Sequence, residues 1–379
     1  MNKQFNLYPP QRHFGNIAEL KEELAKYENT REFEHEKQEV YNHDCREFEC
    51  IRLNNGQIVH LPTNANFTLY RGQNEKHDTC VPSLYRSEIS EDEIFVKNLQ
   101  ITEFELMLRQ HSVVKCYFEY NNLRVDYRGL AQHYGLDTDL LDLSSNIDVA
   151  LFFATCVYDK ATDLYYAQHD DKCYTGVIYV YPIMQDIFAN YQNSSVFENK
   201  LQVIGMQAFK RPMLQHGFSY QLNRGESLRA IAYTFDYTRD DSLRYFNKFD
   251  EGNALWIKDD LSKRTKLLLS SKIFSSDAFS LSLERYSQKY KKSDYYHDVL
   301  NKSGYSIRNK NELPWTFTLA EQQDILDEWN DKDKEEFESK ACRRKTFEEG
   351  VGWKQETDVE KYALMLMHRI PMSFDNVKD

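Results

Sequence analysis

The most informative hydrophobic pattern lies in residues 130–155, LAQHYGLDTDLLDLSSNIDVALFFAT. The leucines at 140, 141 and 143 form an apolar run of strand length. Ser145 and Asp148 then have the spacing of a helix cap, and the following residues are apolar on nearly every side, so the helix should be buried. Backbone N–H groups at a helix start can hold an anion or a polar ligand. On these residues alone, a structural cap is favoured over a ligand site.

In the rest of the chain, strand and helix patterns follow one another with no regular alternation. Strands are predicted near residues 67–72, 139–143, 175–183, 213–222 and 229–238. Helices are predicted at 16–40, at 91–110, in a segment capped by Thr318 and Glu321, and at 359–369, and a hairpin of two strands is predicted in 47–61. This pattern predicts an α+β fold with a mixed or antiparallel sheet, a buried helix and helical additions at the N- and C-termini. We divide the chain into an accessory segment (1–60), a core domain (61–240) and a mainly helical region (241–379).

Composition and charge narrow the function classes. The 379 residues carry a formal charge of −12, which argues against broad, non-specific binding to duplex nucleic acid. No apolar run has transmembrane length, and the N-terminal residues lack the apolar core of a signal peptide, so we expect no membrane partner and a cytoplasmic location. Seven cysteines without regular spacing are typical of reduced thiols. His43, Cys45 and Cys50 lack a second pair of ligands at zinc-site spacing, so no metal site is predicted.

The stretch ANFTLYRGQ, residues 65–73, carries the first candidate chemistry. Strand alternation places Arg71 at the end of an apolar face behind Phe67 and Leu69. A guanidinium there must be paired or must meet a ligand, because burying it unpaired costs several kcal/mol. An ion pair with Asp142 or Asp148 and a ligand site are about equally favoured. Gly72 removes a side chain where a ligand or another backbone can approach.

A second polar stretch, residues 208–227, is locally basic in an acidic chain. Its basic side chains are Lys210, Arg211, His216 and Arg224. A strand over 213–222 would place Gln215 and Gly217 on one face, where they could form the floor of a ligand site. An edge strand kept soluble by its basic residues is equally plausible.

Several common catalytic motifs are absent from the sequence. It contains no GxxxxGK[ST], no GxGxxG, no HExxH and no GxSxG. P-loop ATPases, Rossmann enzymes, zincins and hydrolases with a nucleophile elbow therefore have no support.

Together, four ordered motifs resemble the FRG domain family, a mainly bacterial family named for a Phe or Tyr, Arg, Gly signature. They are YRGQ at 70–73, VPSLYR at 81–86, AQHYGLDTDLLDLSSNIDVALFFA at 131–154 and RPMLQHGFS at 211–219. The resemblance spans about residues 60–225. At Asp137, Asp139 and Leu143 the family usually has Pro, Arg and Trp. The positions that match the family are Arg71, Gln132, His133, Tyr134, Gly135, Thr138, Asp142, Gln215 and Gly217.

The order of these motifs is similar to that of ADP-ribosyltransferase folds, which implies NAD as the cosubstrate. In such a site Arg71 would hold a phosphate or ribose, Tyr134 would stack on the nicotinamide and His133 would bond a ribose hydroxyl. The resemblance implies Arg71, His133 and Gln215 as catalytic residues. The residues it implies for binding are Tyr70, Gly72, Gln132, Tyr134, Thr138, Asp142, Ser145 and Gly217.

Two hypotheses of function remain open because Gln215 is neutral where those folds carry a glutamate. If Asp142 or Glu226 supplies the charge, the protein is an NAD-consuming ADP-ribosyltransferase, a toxin or defence effector acting on a protein or nucleic-acid target. Otherwise it is a non-catalytic nucleotide-binding or nucleic-acid-sensing module, with the basic stretch from Lys210 to Arg224 as its contact surface.

Overall fold

The computed structural model of the chain describes residues 12–25, 48–52, 56–62, 68–182, 200–309 and 312–342. Within these residues the strands form one seven-stranded sheet and three small sheets. In chain order, strands β1 to β14 are Arg12–Phe14, Phe48–Arg52, Ile58–Pro62, Thr68–Gln73, Leu140–Ser144, Val157–Asp159, Leu164–Tyr166, Tyr174–Pro182, Leu201–Val203, Gly217–Gln221, Ile231–Tyr237, Ile273–Ser275, Ser306–Arg308 and Ala341–Cys342.

Helices α1 (Ile17–Leu24) and α4 (Ile147–Thr155) pack on one face of the large sheet, and helices make up most of the described chain after β11. In chain order, helices α1 to α11 are Ile17–Leu24, Glu91–Leu108, Tyr127–His133, Ile147–Thr155, Lys210–Leu214, Arg239–Lys248, Asp260–Ser270, Ser276–Tyr286, Ser293–Lys302, Leu319–Glu328 and Lys334–Lys340. A short 3-10 helix, Ser83–Tyr85, lies between β4 and α2.

The large sheet has the strand order β1-β11-β8-β4-β5-β10-β9. β1 runs parallel to β11, and the other neighbours are antiparallel. The sheet is therefore mixed, and helices lie near both ends of the described chain, which confirms the predicted α+β class. The first strand comes from the N-terminal segment, so that segment contributes an edge to the central sheet.

Helix α4 is the buried helix that the sequence predicted. Its side chains join a hydrophobic cluster with β8 and β11 that includes Leu151, Phe152 and Tyr233. The close approach of α4 to β4 depends on Gly72, because a Cβ there would lie 1.7 Å from the Ala150 carbonyl oxygen. Of the two expectations for Gly72, a ligand or another backbone, the structure shows a backbone beside it.

The predicted cap of this helix was wrong by one residue. Asn146, not Ser145, is the N-cap, and its Oδ1 accepts from the N–H groups of Asp148 at 2.9 Å and Val149 at 3.4 Å. The Asn146 N–H itself donates to Ser144 Oγ at 3.0 Å. These N–H groups are already paired, so the start of α4 is not an open anion site.

The predicted strand over 213–222 was also wrong in its first half. Residues Lys210–Leu214 form α5, and β10 begins only at Gly217. Between them, His216 has a φ of 48°, in the left-handed region, which turns the chain sharply from the helix into the strand. The alternation expected between Gln215 and Gly217 therefore does not apply.

Other predicted elements are found with shifted ends. The strand predicted at 175–183 is β8, and the one at 229–238 is β11, whose alternate residues are buried as expected. Helix α2 is more buried than its acidic sequence indicated, since Glu103 and Glu105 are both buried. The predicted hairpin is β2 and β3, paired antiparallel. Its turn at 53–55, the helix at 359–369 and most of the helix at 16–40 lie outside the described residues.

The C-terminal helices pack directly on the core domain. Trp315 and Phe317 join a cluster with α2 and α3, while Trp329 and Phe337 join one with Phe48 and Met213. In the described part of the chain, no helix has the length and apolarity needed to cross a membrane.

Candidate functional site

The centre of the large sheet contains a gap between two neighbouring strands. β4 pairs with β8 over six residues, from Thr68 to Gln73. With β5 it shares a single pair, Tyr70 with Ser144, so residues 71–73 have ladder partners only on the β8 side. An opening within a sheet leaves backbone and side-chain polar groups available to a ligand.

Arg71 stands in this gap. Its Nη1 donates to the backbone carbonyl oxygen of Asp142 at 2.8 Å, a group that a regular β4–β5 ladder would have used. The expected ion pair with Asp148 does not form, because Lys21 and Lys248 hold that carboxylate at 2.6 and 2.5 Å. The Arg71 guanidinium is therefore anchored at one nitrogen, and its charge is not cancelled by Asp148.

Asp142 lies across the gap on β5. Gln132 Nε2 donates to its Oδ2 at 3.3 Å, and His133 Nε2 lies 3.7 Å from its Oδ1. Thr138 holds the amide of Gln132 in place by donating to its Oε1 at 2.5 Å. The end of α3 and the loop before β5 thus direct a fixed amide and an imidazole at one carboxylate, which is one-third exposed.

Buried polar atoms without a hydrogen-bond partner concentrate around this gap. Within the described residues they include Arg71 Nε, Gln73 Oε1, His133 Nε2, Asp142 Oδ1, Ser145 Oγ and Ser219 Oγ. Most buried polar atoms in folded proteins are paired, so a concentration of unpaired ones indicates a place where a polar ligand is expected.

Two residues that the sequence did not single out adjoin Arg71. Burial raises the pKa of the Cys80 thiol, while the charges of Arg71 and Arg86 act to lower it, so both guanidinium groups lie near this thiol. Burial also raises the pKa of Tyr179 to about 12, and Cys80 and Arg71 act on the same hydroxyl. Tyr179 therefore stays protonated near neutral pH and can donate a hydrogen bond.

An aromatic cluster adjoins the other side of the site. Tyr165, on the β6–β7 hairpin, packs on Phe152, Phe153, Tyr158 and Trp256 with ring centroids 5.2–5.4 Å apart. Burial raises the pKa of its hydroxyl, on which the charges of Asp142 and Arg71 also act. Local sequence gave no signal for this cluster, because Trp256 comes from a loop far along the chain.

Tyr134 lies away from the gap. Its ring is buried with Phe104 and Phe209, the Arg211 guanidinium covers it at 4.5 Å, and its hydroxyl donates to Asp259 at 2.5 Å. Tyr70 is also fully buried, in the cluster beneath α4. Neither ring offers a free face to a ligand, so the stacking expected of Tyr134 is not supported by its surroundings.

Gln215, Gly217 and Ser145 lie next to the Asp142 pocket through β10. Gln215 Nε2 donates to the backbone carbonyl oxygen of Leu255 at 2.9 Å, and the backbone carbonyl oxygen of Gln215 accepts from Ser144 Oγ at 2.7 Å. Gly217 leaves room for the imidazole, since a Cβ there would lie 3.2 Å from His133 Nε2. The structure therefore brings Arg71, Gln132, His133, Asp142 and Gly217 to one place, while the Gln215 amide is already engaged.

The acidic departures from the family pattern are paired with cationic side chains of the neighbouring helices. Arg128 Nε donates to Asp139, which also accepts from Gln221 Nε2 at 2.8 Å. Asp137 pairs with Lys97 at 2.8 Å. Both carboxylates thus have cationic partners on α2 or α3, and the charge reversal at 139 does not reach Arg71.

The basic stretch expected as a contact surface is largely neutralised. Lys210 pairs with Asp333 at 3.1 Å and Glu336 at 3.0 Å, and Arg224 pairs with Glu91 at 2.9 Å. Arg211 is only 2% exposed. Glu226, the other carboxylate considered for the site, is held by Lys200 at 2.6 Å. Lys210 and Arg224 are thus exposed but ion-paired, and Arg211 is buried, so the stretch offers less unpaired positive charge than its sequence indicates.

The described residues contain no cluster of side chains suited to bind a metal ion. No group of three or more His, Cys, Asp or Glu side chains there is arranged to hold a metal ion. His43 and Cys45 lie outside the described part of the chain.

Comparison with known proteins agrees with three of the four motifs, while the motif at 211–219 lies outside the matched residues. Residues 66–163 match the model of the FRG domain family. This segment contains β4, α2, α3, β5 and α4, so the chain carries an FRG domain that includes both walls of the gap. Searches of curated proteins and of solved structures found no match.

Proposed function

We propose that the FRG domain binds NAD in the gap between β4 and β5 and transfers its ADP-ribose group to a macromolecule, as a toxin or defence effector. The observation that carries the proposal is the meeting of Arg71, His133 and Asp142 in one partly buried gap with unpaired polar atoms on both sides. The proposal rests on a fold-level analogy with ADP-ribosyltransferases. The order of the strands supports the analogy, because β4, β5, which leads into α4, and β10 are consecutive neighbours in the sheet.

The reaction requires a negative charge close to the sugar. The bond between ribose C1′ and the nicotinamide nitrogen breaks, the electron pair leaves with the nicotinamide, and a cationic sugar forms. Asp142 is the carboxylate in the gap, and its Oδ1 has no hydrogen bond to another described residue. It can stabilise the cation and then accept the proton of the attacking hydroxyl or amine, with His133 Nε2 3.7 Å away to share that proton.

Arg71 and the surrounding aromatic residues would orient the substrate. A guanidinium with one nitrogen anchored and Nε unpaired can bond a phosphate or ribose oxygen. Tyr165 and its neighbours supply the aromatic surface that Tyr134 cannot. Gln215 contributes through its backbone to Ser144 and does not supply the missing charge.

The decisive experiment incubates the full-length protein and cell extract with NAD labelled on its adenylate portion. Nicotinamide release and label transfer to macromolecules are measured for wild type, Arg71→Ala and the control Arg224→Ala, an exposed arginine paired with Glu91. We expect wild type and the control to react alike and Arg71→Ala to lose at least about tenfold of the rate. Absence of turnover by wild type, or equal turnover by Arg71→Ala, would refute the proposal. Stabilisation by NAD without turnover would instead support a non-catalytic nucleotide-binding module.

A further inference from the structure

Arg86 is an exposed guanidinium whose charge has no fixed partner. In the described residues its side chain has no hydrogen bond and no carboxylate within ion-pair distance, whereas Arg128 and Arg224 are both ion-paired. It follows the 3-10 helix Ser83–Tyr85 and closes that turn, donating its backbone N–H to the Ser83 carbonyl at 3.4 Å.

The turn before Arg86 is fixed to the wall of the gap. The Leu84 N–H donates to the Thr138 carbonyl at 3.2 Å, and the Thr138 N–H donates to Ser83 Oγ at 3.3 Å. Thr138 in turn holds Gln132, which contacts Asp142. Arg86 therefore lies at the mouth of the gap on a turn that is bonded to the same loop as the site.

Electrostatic effects support the approach of the two arginines. Partial desolvation lowers the pKa of Arg86 and the positive charge of Arg71 lowers it further, while Cys80, Asp137 and Asp142 act in the opposite direction. Two guanidinium groups brought together repel each other, and an anion that contacts both removes that repulsion.

We infer that Arg86 is a second anion-binding residue, which binds the diphosphate of the substrate together with Arg71. The pair of arginines would give the site a preference for diphosphates over single phosphates. This inference rests on the proposed function for the identity of the substrate as a dinucleotide. Arg71, anchored to Asp142, would contact the phosphate deeper in the gap, and Arg86 would contact the phosphate nearer the solvent. Each fork can form two parallel hydrogen bonds to phosphate oxygens.

Calorimetric titration of the full-length protein tests the inference without using turnover. The probes are inorganic pyrophosphate, inorganic phosphate, ADP-ribose and AMP, and the variants are Arg86→Ala, Arg86→Lys and the control Arg224→Ala. We expect wild type to bind pyrophosphate and ADP-ribose at least about tenfold more tightly than phosphate and AMP, and Arg86→Ala to lose most of that preference. Arg86→Lys should recover only part of it, because an ammonium cannot form the fork. Arg224→Ala should bind like wild type.

The outcomes separate this inference from the proposed function. Equal affinity of Arg86→Ala and wild type for pyrophosphate and ADP-ribose would overturn the inference, as would failure of wild type to bind either probe. If NAD is consumed and the KM of Arg86→Ala is unchanged, the inference fails while the proposed function stands. If the diphosphate preference depends on Arg86 but NAD is not consumed, the inference stands and the proposed function fails. Since the Arg86 side chain is exposed, the melting temperatures of Arg86→Ala and Arg86→Lys should equal that of wild type. This measurement checks that the variants fold.

Discussion

Arg211 shows how a residue that looks like a contact site can instead be a structural support. Its guanidinium donates to the carbonyls of Ile257 and His133 and to Ser262 Oγ at distances of 2.7–3.0 Å. It also lies between the rings of Tyr134 and Trp256, at 4.5 and 4.3 Å. One buried cation thus ties α5 to the end of α3 and to the loop before α7, next to the candidate site.

Arg211→Ala should therefore unfold the protein more easily. Two buried carbonyl oxygens would lose their donors, and we expect a loss of about 3 kcal/mol or more in the free energy of unfolding measured with urea. Lys210→Ala, which removes a neighbouring exposed cation, should cost no more than about 1 kcal/mol. Similar losses for the two variants would contradict the structural role of Arg211.

Some residues of the candidate site could be predicted from the sequence and others could not, for physical reasons. Arg71 and Asp142 were identified because a charge at the end of an apolar strand needs a partner. Arg86 and Tyr165 were missed, since what makes each notable is its position beside residues distant in sequence. Tyr134 was misplaced because a motif shows that a ring is present and cannot show which face of the loop it packs against.

At the scale of secondary structure, β4 has a helix backbone packed against it and lacks most of its pairing with β5. Gly72 allows the backbone of α4 to lie against the strand, and beyond Tyr70 the strand has no ladder partner on β5. The pattern of leucines and the apolar helix could be read from the sequence. The splayed pairing could not, because register depends on which backbone groups meet in three dimensions.

Gly72→Ala tests this contact. A methyl group 1.7 Å from the Ala150 oxygen forces α4 to move, and we expect a destabilisation of about 3 kcal/mol in thermal or urea unfolding. Gly15→Ala is the matched control, because its nearest contact is the end of the Glu19 side chain at 3.6 Å. An unchanged stability of Gly72→Ala would show that helix and strand are not in close contact.

Two buried histidines link the C-terminal region to the core at the scale of the whole molecule. His111 packs against Phe209 and Phe317, with centroids 4.9 and 5.5 Å away, and His60 packs against Phe337 at 5.2 Å. Burial lowers the pKa of both imidazoles to about 4. The five phenylalanine and histidine rings thus join β3, residue 111 and residue 209 to α11 and to the segment before α10.

Acid should weaken this packing. The unfolded chain protonates histidine below about pH 6.5, whereas the folded chain does so only near pH 4, so stability is complete above pH 6.5 and falls as the pH drops toward 4. Each ring contributes about 3 kcal/mol to that loss. His111→Phe should lose less stability than wild type between pH 7 and pH 4.5 in urea titrations, and His77→Gln, an exposed control, should behave like wild type. Parallel curves for wild type and His111→Phe would contradict the assignment.

The charge of the whole molecule also bears on its partners. Although the chain carries a formal charge of −12, Arg71 and Arg86 lie together at the gap while Asp137 and Asp139 are paired elsewhere. An anionic small molecule can therefore be attracted locally by a protein that repels duplex nucleic acid overall. The net charge and the fold class could be predicted from the sequence, but the local balance of charge follows from the tertiary ion pairs.

The central claim, that Asp142 is the catalytic carboxylate of an NAD-cleaving site, is tested most directly by steady-state release of nicotinamide from NAD. Purified wild type and Asp142→Asn are compared once their melting temperatures have been shown to be equal. Asp171→Asn, which changes an exposed carboxylate, is the control. We expect Asp142→Asn to lose about 100-fold or more in kcat with a much smaller change in KM, because an amide retains the hydrogen bonds but not the charge. No release by wild type, or an unchanged kcat in Asp142→Asn, would contradict the claim.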